Sequence, residues 1–516
     1  MADSDVRVPR AVVVETADAS QDGERVVELT TRRTDGGLRL LAVPLTAATP
    51  ARRRFRWVAD AFRPFVAVLL LAVGILLLPA SLSSAAKGAL FAFSLAVVLW
   101  SMTRLTAAWV ALVAVVTLIG LGGAEQDALF ASLSSDVVWL MIGAFVLGGA
   151  VQVTGLAARL TSVVAGEQRS VSQVCWRITA LLLPLTFLIP STSGRAAVVL
   201  PLYTDVTRAI DDRRVSRALS LLIPTVILVS TIGTLVGAGS HLIANNLLAE
   251  VADQRISFLQ WALYGAPFAV VASLLSCAVV LRLYLDPGRR ARRVDVARQD
   301  LGQLTRPELR TLAITAGMVL FWSTESLHGI EIATVAVVGA VLLTMPGVGV
   351  LSWKRAMAAV SWNLVVFVGA ALVLGQALIA TGAAAWIVDR LFTAAGLAEA
   401  RSTVVILFLI AIVSLTSHVY MTSHAARAAA LIPPLLYVGV SLDLSLPAVM
   451  FIGTVGMDYC LTFPVSSKAL LMFQELDDET YQPADLLRLS AVLLVVHLAL
   501  MVAFYYAYWR WVGLPL

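Results

Sequence analysis

The sequence predicts an all-α polytopic membrane protein of about eleven transmembrane helices, in two inverted repeats that each carry a re-entrant hairpin. Three observations predict it. Apolar residues make up 59% and charged residues 14% of the 516, a balance that the surface of a soluble domain this large does not tolerate. Apolar runs of about 18 or more residues recur from Phe62 to Trp511, each long enough to cross a hydrocarbon core of about 30 Å. The two halves of this region also resemble each other at an offset of roughly 230 residues, with matching polar interruptions.

Residues 1–61 are polar, lack helical apolar periodicity and contain no short apolar stretch with a cleavage site, so a disordered tail without a signal peptide is expected. Arg52, Arg53, Arg54 and Arg56 abut the first span, and Arg289, Arg290, Arg292 and Arg293 follow the span ending near Leu285. The positive-inside rule puts both blocks, and with them the amino terminus, in the cytoplasm; the expected location is the plasma (inner) membrane. The membrane halves are then 62–285 and 311–511, separated by a basic cytoplasmic linker over 286–310. The net charge of +5 lies mainly outside the spans and not in a patch interleaved with exposed aromatics, which counts against nucleic acid as a partner. Cys175, Cys277 and Cys460 are far apart inside apolar segments and read as small core residues, not as a disulfide or metal set. Trp509 and Trp511 read as interfacial anchors.

The repeat is legible residue by residue. PSTSGRAAVVLP, from Pro190 to Pro201, aligns without gaps on TSHAARAAALIP, from Thr422 to Pro433, so that Ser191 matches Ser423 and Arg195 matches Arg427. Upstream, Gly143 to Gly155 parallels Gly369 to Gly382 with one inserted residue. With about five crossings in each, the repeats are inverted in the membrane, an architecture that lets one midplane site face alternately inward and outward.

Each half is also interrupted twice. Pro184, Pro190, the run Ser191 to Arg195 and Pro201 prevent one straight helix over 171–210, which predicts a re-entrant hairpin with a polar tip; the counterpart covers 404–440. Next in each half comes a helix broken by glycine or serine, Ser230 to Asn246 and Gly453 to Leu471. Four broken elements bring helix amino-termini and free backbone groups to one locus, where the partial positive charge of helix ends favours an anion.

At these residues, over about 65 to 510, the chain resembles the divalent anion/sodium symporter family of the ion transporter superfamily, carriers of dicarboxylates, citrate and sulfate. Both tips keep the family's Ser, paired alanines and Pro. The resemblance implies an eleven-span fold with a scaffold domain that dimerises and a transport domain that moves like an elevator. It also implies tips and unwound loops that coordinate sodium and the substrate carboxylate. The departures are Thr192 and His424 for the tip Asn, Ser193 and Ala425 for the following Thr, and Arg195 and Arg427 for the later Thr. His241 stands in GAGSH, from Gly237, where the family has the Asn of G-T-P-P-N, and PVSSK shortens the second loop and places Ser466, Ser467 and Lys468 there. These changes count against sodium, the one candidate ion; no other cofactor is expected.

An intramembrane arginine costs about 2.5 to 3.5 kcal/mol on insertion scales, so two at symmetric positions call for partners. The expectation is that Arg195 and Arg427 replace bound sodium with fixed positive charge and present a fork of donors to a carboxylate, sulfate or phosphate. His241 and Lys468 add to the field, and Asp458 neutralises an arginine in the empty carrier or takes up a proton, as His241 and His424 could. The competing readings are snorkelling or ion pairs with Asp205 or Asp458 for the arginines, and plain capping for Ser191, Thr192, Ser193 and Ser423. The sequence thus points to a non-enzymatic secondary transporter of a small anion, by exchange or proton coupling, with sodium symport as the alternative. The HExxH and GxSxG motifs and the paired aspartates of intramembrane proteases are absent, and no signalling domain is appended.

Overall fold

The structure, a computed structural model, describes residues 27–34, 37–44, 50–80, 82–103, 105–156, 159, 164, 166–189, 191–296, 302–387, 390, 402–476 and 480–516. Residues up to Ala67 form one compact unit and Val68–Leu516 another.

In the first unit, β1 (Val27–Thr34) pairs antiparallel with β2 (Gly37–Pro44), Val27 opposite Pro44 and Thr34 opposite Gly37. The expectation of a structureless tail over 1–61 therefore fails for these strands. They flank Asp35-Gly36, a dipeptide that favours tight hairpin connections, and their β-branched residues suit a strand; a search for helical periodicity passes over both signals. The helix α1 (Pro50–Leu76) also begins inside that stretch. The rest of the expected tail lies outside the described residues.

Among the described residues eight helices are long and apolar enough to cross a membrane, and the chain is a multi-pass membrane protein. The first half runs α2 (Ser84–Met102), α3 (Ala107–Gly120), α4 (Asp136–Thr154), the pair α5 (Val171–Leu188) and α6 (Thr192–Ile210), α7 (Arg213–Val229), α8 (Gly239–Ala252) and α9 (Phe258–Tyr284). After the linker come α10 (Arg306–Ser323), α11 (Ile332–Thr344), α12 (Trp362–Ala380), the pair α13 (Thr403–Tyr420) and α14 (His424–Ser441), α15 (Leu446–Asp458), α16 (Lys468–Gln474) and α17 (Pro483–Ala507).

Two sets of helices pack among themselves. In one, α4 lies on α11, α3 on α2 and α12, and α10 on α11. In the other, elements of the two halves interleave: α8 lies on α14, and α16 lies on α6 and α7. The helix α12 runs against α8 and α14 and so touches both sets. Gly375 makes that approach close, because a methyl group there would stand 2.6 Å from Cδ2 of Leu247 on α8.

The linker is tied down. The strand β3 (Gly166–Ser170), just before α5, pairs antiparallel with β4 (Arg293–Val296), Ser170 opposite Arg293. These strands, like β1 and β2, are short exceptions to an all-α reading. Asp212, the cap of α7, accepts from the Arg214 backbone at 2.9 Å and from Nε of Arg289 at 3.0 Å. Burial pushes this carboxyl up, but the hydrogen bonds from Arg214, Arg289 and Val215 outweigh it and hold it below the usual carboxylate range.

A depressed folded-state pKa contributes stability that is complete above the unfolded value of about 3.9 and is lost as pH falls through the folded value. Asp212→Asn keeps a capping oxygen and removes the charge. The thermal midpoint of this variant in detergent is expected to lie below wild type at pH 7 and to converge on it as the pH drops below about 4. Equal midpoints at pH 7 would refute the role given to this ion pair.

Candidate functional site

Each tip is a short break between two helices. Ile189, which precedes Pro190, is extended, as a residue before proline is held out of the helical region. Ser191 then caps α6 by accepting from the Gly194 backbone at 3.2 Å, and its Oγ lies 3.2 Å from Oγ of Ser193. Thr192 is half-buried beside them. In the second tip Met421 is extended and Ser423 caps α14 by accepting from Ala426 at 3.3 Å. Capping and a polar tip are here the same atoms.

Both helices that follow the tips are broken. Between α7 and α8 the chain makes two tight turns, Thr231–Gly233 and Leu235–Gly237, with Thr234 and Ala238 extended. Gly237 is required by contact: a Cβ there would lie 2.3 Å from the Thr231 carbonyl oxygen. Between α15 and α16 the chain is extended at Tyr459, turns at Pro464–Ser466 and restarts behind Ser467, whose Oγ accepts from Ala469 at 3.2 Å.

The two arginines are fully buried and held differently. Arg195 donates from Nη1 to Oγ1 of Thr186 at 2.7 Å and from Nη2 to Oγ1 of Thr231 at 3.0 Å, so hydroxyls of α5 and of the first break surround it. Arg427 donates only from Nη1, to the Tyr459 carbonyl at 3.2 Å, and its Nε and Nη2 have no partner. Among the described residues no carboxylate is within ion-pair distance of either guanidinium. A guanidinium with two free donors in a dry interior is a ready site for an oxyanion.

Asp458, at the carboxyl end of α15, joins the halves. Its Oδ2 lies 2.7 Å from Nε2 of His241, at the start of α8, and its Oδ1 lies 3.9 Å from Nδ1 of His424, at the second tip. The Thr234 carbonyl accepts from Nδ1 of His241 at 3.0 Å. The ring therefore already donates on that side, and Nε2 and Asp458 share one proton between them. With the proton the pair is neutral; without it the pair carries one negative charge. The imidazole also lies 5.0 Å from the Trp261 ring, which shields it from water.

The structure thus brings together Arg195 with the first break, Arg427 with the second, and His241, His424 and Asp458 across the halves. Ser466 is buried near these breaks with its Oγ unpaired, as are Oγ1 of Thr234 and Oγ of Ser240. Lys468 is exposed at the start of α16 and, among the described residues, makes no hydrogen bond or ion pair with this cluster. Sequence reasoning missed Cys460, whose Sγ lies 3.0 Å from Nε2 of His424, and the carbonyl of Tyr459. The signal was there in their adjacency to Asp458. His418, near His424 in the sequence, turns instead to Oγ1 of Thr462 at 2.5 Å, and among the described residues no set of three metal-ligating side chains is placed to hold a metal ion.

Known proteins share this arrangement of sequence. A membrane protein of Cupriavidus necator is 29% identical over 400 residues, 74% of this chain and 76% of that one. The citrate/succinate antiporter of Escherichia coli is 23% identical over 402 residues, 73% of this chain and 80% of the antiporter. The L-tartrate/succinate antiporter of the same organism is 24% identical over 391 residues, 72% and 77% of the two chains. Among solved structures, the Alcanivorax borkumensis YdaH transporter matches with a TM-score of 0.52 at 16% identity, covering 76% of this chain and 88% of that one, a likeness of fold. The family described as the sodium:sulfate symporter transmembrane region matches residues 59–514. The match spans both tips, both breaks and the helices that carry them, and the chain belongs to this family, the divalent anion/sodium symporters.

Proposed function

We propose that the chain is a secondary active transporter of a small di- or tricarboxylate or sulfate-like anion across the plasma membrane, working by exchange or proton coupling without sodium. The observation that carries this reading is Arg427, fully buried, with two of its three guanidinium nitrogens unpaired at the tip of a helix hairpin. A charge left unpaired in a low-dielectric interior costs several kcal/mol, and a bound anion relieves it. The amino-termini of α6, α8 and α14 add partial positive charge from three sides.

Fixed charge also bears on coupling. Two guanidinium groups face the single carboxylate of Asp458, so the empty site is cationic and its return differs electrically from return of the loaded site. The proton shared by His241 and Asp458 supplies a second adjustable charge. The printed activities of the two Escherichia coli relatives, both antiporters of succinate, support exchange. Sodium symport of the same anions keeps one support, the unpaired oxygens of Thr234, Ser240 and Ser466, which are hard ligands of the kind a sodium ion takes.

The matching order of elements in the two halves supports inverted repeats with about eleven crossings and a cytoplasmic amino terminus. The set containing α2–α4 and α10–α12 is then the scaffold, through which two copies pair, and the set containing both hairpins and both broken helices is the part that moves.

Uptake into proteoliposomes from a panel of succinate, malate, citrate, sulfate and phosphate tests the reading, with sodium and proton gradients imposed separately. Accumulation of at least one of these anions without sodium, accelerated by the same anion preloaded inside, is expected. A strict sodium requirement removes the coupling scheme, and no uptake of any panel anion removes the function. Arg427→Thr, which restores the family residue, is expected to lower sodium-free uptake by about 100-fold or more, the loss of a charge-assisted contact worth about 3 kcal/mol; unchanged uptake would exclude the arginine from the site. Gly237→Val is expected to abolish transport and to lower the thermal midpoint, since its side chain drives into the Thr231 carbonyl.

A further inference from the structure

We infer that Cys460 is a reactive thiol inside the anion site, open to covalent modification by small anionic sulfhydryl reagents. The inference rests on the transport reading for its setting and on the geometry for its chemistry. Cys460 is fully buried in the extended stretch after α15, two residues beyond Asp458. Its Sγ lies 3.0 Å from Nε2 of His424, and one turn further along α14 the guanidinium of Arg427 donates to the carbonyl of Tyr459, the residue before this cysteine. That guanidinium is itself fully buried with Nε and Nη2 unpaired. Cys175 on α5 and Cys277 on α9 are as buried and have no histidine or arginine hydrogen-bonded to them among the described residues.

The thiolate is the nucleophile in disulfide chemistry, and it forms where a base takes the thiol proton and positive charge stabilises the sulfur. Nε2 of His424 is placed to take that proton, and Arg427 supplies the charge. The His424 side chain is 19% exposed, which makes it the approach to a sulfur that is itself covered. A reagent arrives past a field set by two arginines and one carboxylate, so anions are concentrated there and cations are excluded. With 2-sulfonatoethyl methanethiosulfonate the step balances. The Cys460 sulfur attacks the sulfenyl sulfur, the new S–S bond forms, methanesulfinate leaves with the electron pair, and the thiol proton stays on His424. The added sulfonate then occupies the place of the anion beside Arg427.

The test uses the full chain in proteoliposomes and reads labelling by peptide mass. It compares wild type, Cys460→Ser and the Cys175→Ser/Cys277→Ser double variant, with the anionic reagent and its trimethylammonium counterpart of similar size. Expected are an adduct at Cys460 in wild type and in the double variant and none on the corresponding peptide of Cys460→Ser, formation about 10-fold or more faster with the anionic reagent, and slower labelling in the presence of a transported anion. Equal or faster labelling by the cationic reagent, or no adduct at Cys460, overturns the inference. Because labelling is read by mass, the two readings fail separately. Anion-selective labelling without uptake of any panel anion sinks the transport reading alone, and normal uptake with an unlabelled Cys460 sinks this inference alone.

Discussion

The site depends on one carboxylate. Among the described residues Asp458 is the single acidic group in ion-pair reach of the two histidines that stand with the buried arginines at the helix interruptions, and through His241 it ties the second half of the chain to the first. Removing charge from water into a protein interior is tolerated only with compensation, so two guanidinium groups against the one negative charge that Asp458 can carry leave the empty site short of negative charge by at least one. In the proposed function, an anion fills that deficit.

The interruptions are what make the arrangement affordable in a membrane. Backbone that leaves a helix in hydrocarbon loses its hydrogen bonds, and it persists only where protein or cavity supplies partners. Here the partners are the site itself: Thr231 serves Arg195 with its hydroxyl, Thr234 serves His241 with its carbonyl, and Tyr459 serves Arg427 with its carbonyl. The freed groups of each break hold the charged side chain of a tip. Packing then locks the halves together, α8 on α14 and α16 on α6 and α7, so neither half builds the site alone.

Much of this was legible from residues. The caps Ser191 and Ser423, which restart the chain after α5 and α13, and the two later breaks lie close to where the polar interruptions put them, because helix ends are set by local chemistry, whereas Pro184 and Pro201 lie inside α5 and α6. The alignment of the two tips marked both arginines as a pair. It could not tell them apart, since the hydroxyls around Arg195 come from Thr186 and Thr231, distant in sequence from its tip, while Arg427 has no such neighbours. Lys468, placed near the site by alignment across a shortened loop, is exposed at the start of α16, for a residue or two of register decides which face of a turn a side chain takes. In the sequence Cys460 reads as a space-filling residue, because its partner His424 is 36 positions away in the chain. The strands β1 and β2 were missed because period-two signals are weak in a polar segment.

The central claim is that Asp458 compensates the buried cations until an anion does. Thermal stability of Asp458→Asn in detergent, measured with and without a saturating transported anion, tests it most directly. The account predicts a midpoint below wild type for the empty variant and a larger rise on adding the anion than wild type shows. An empty variant as stable as wild type, with the same rise, would contradict it.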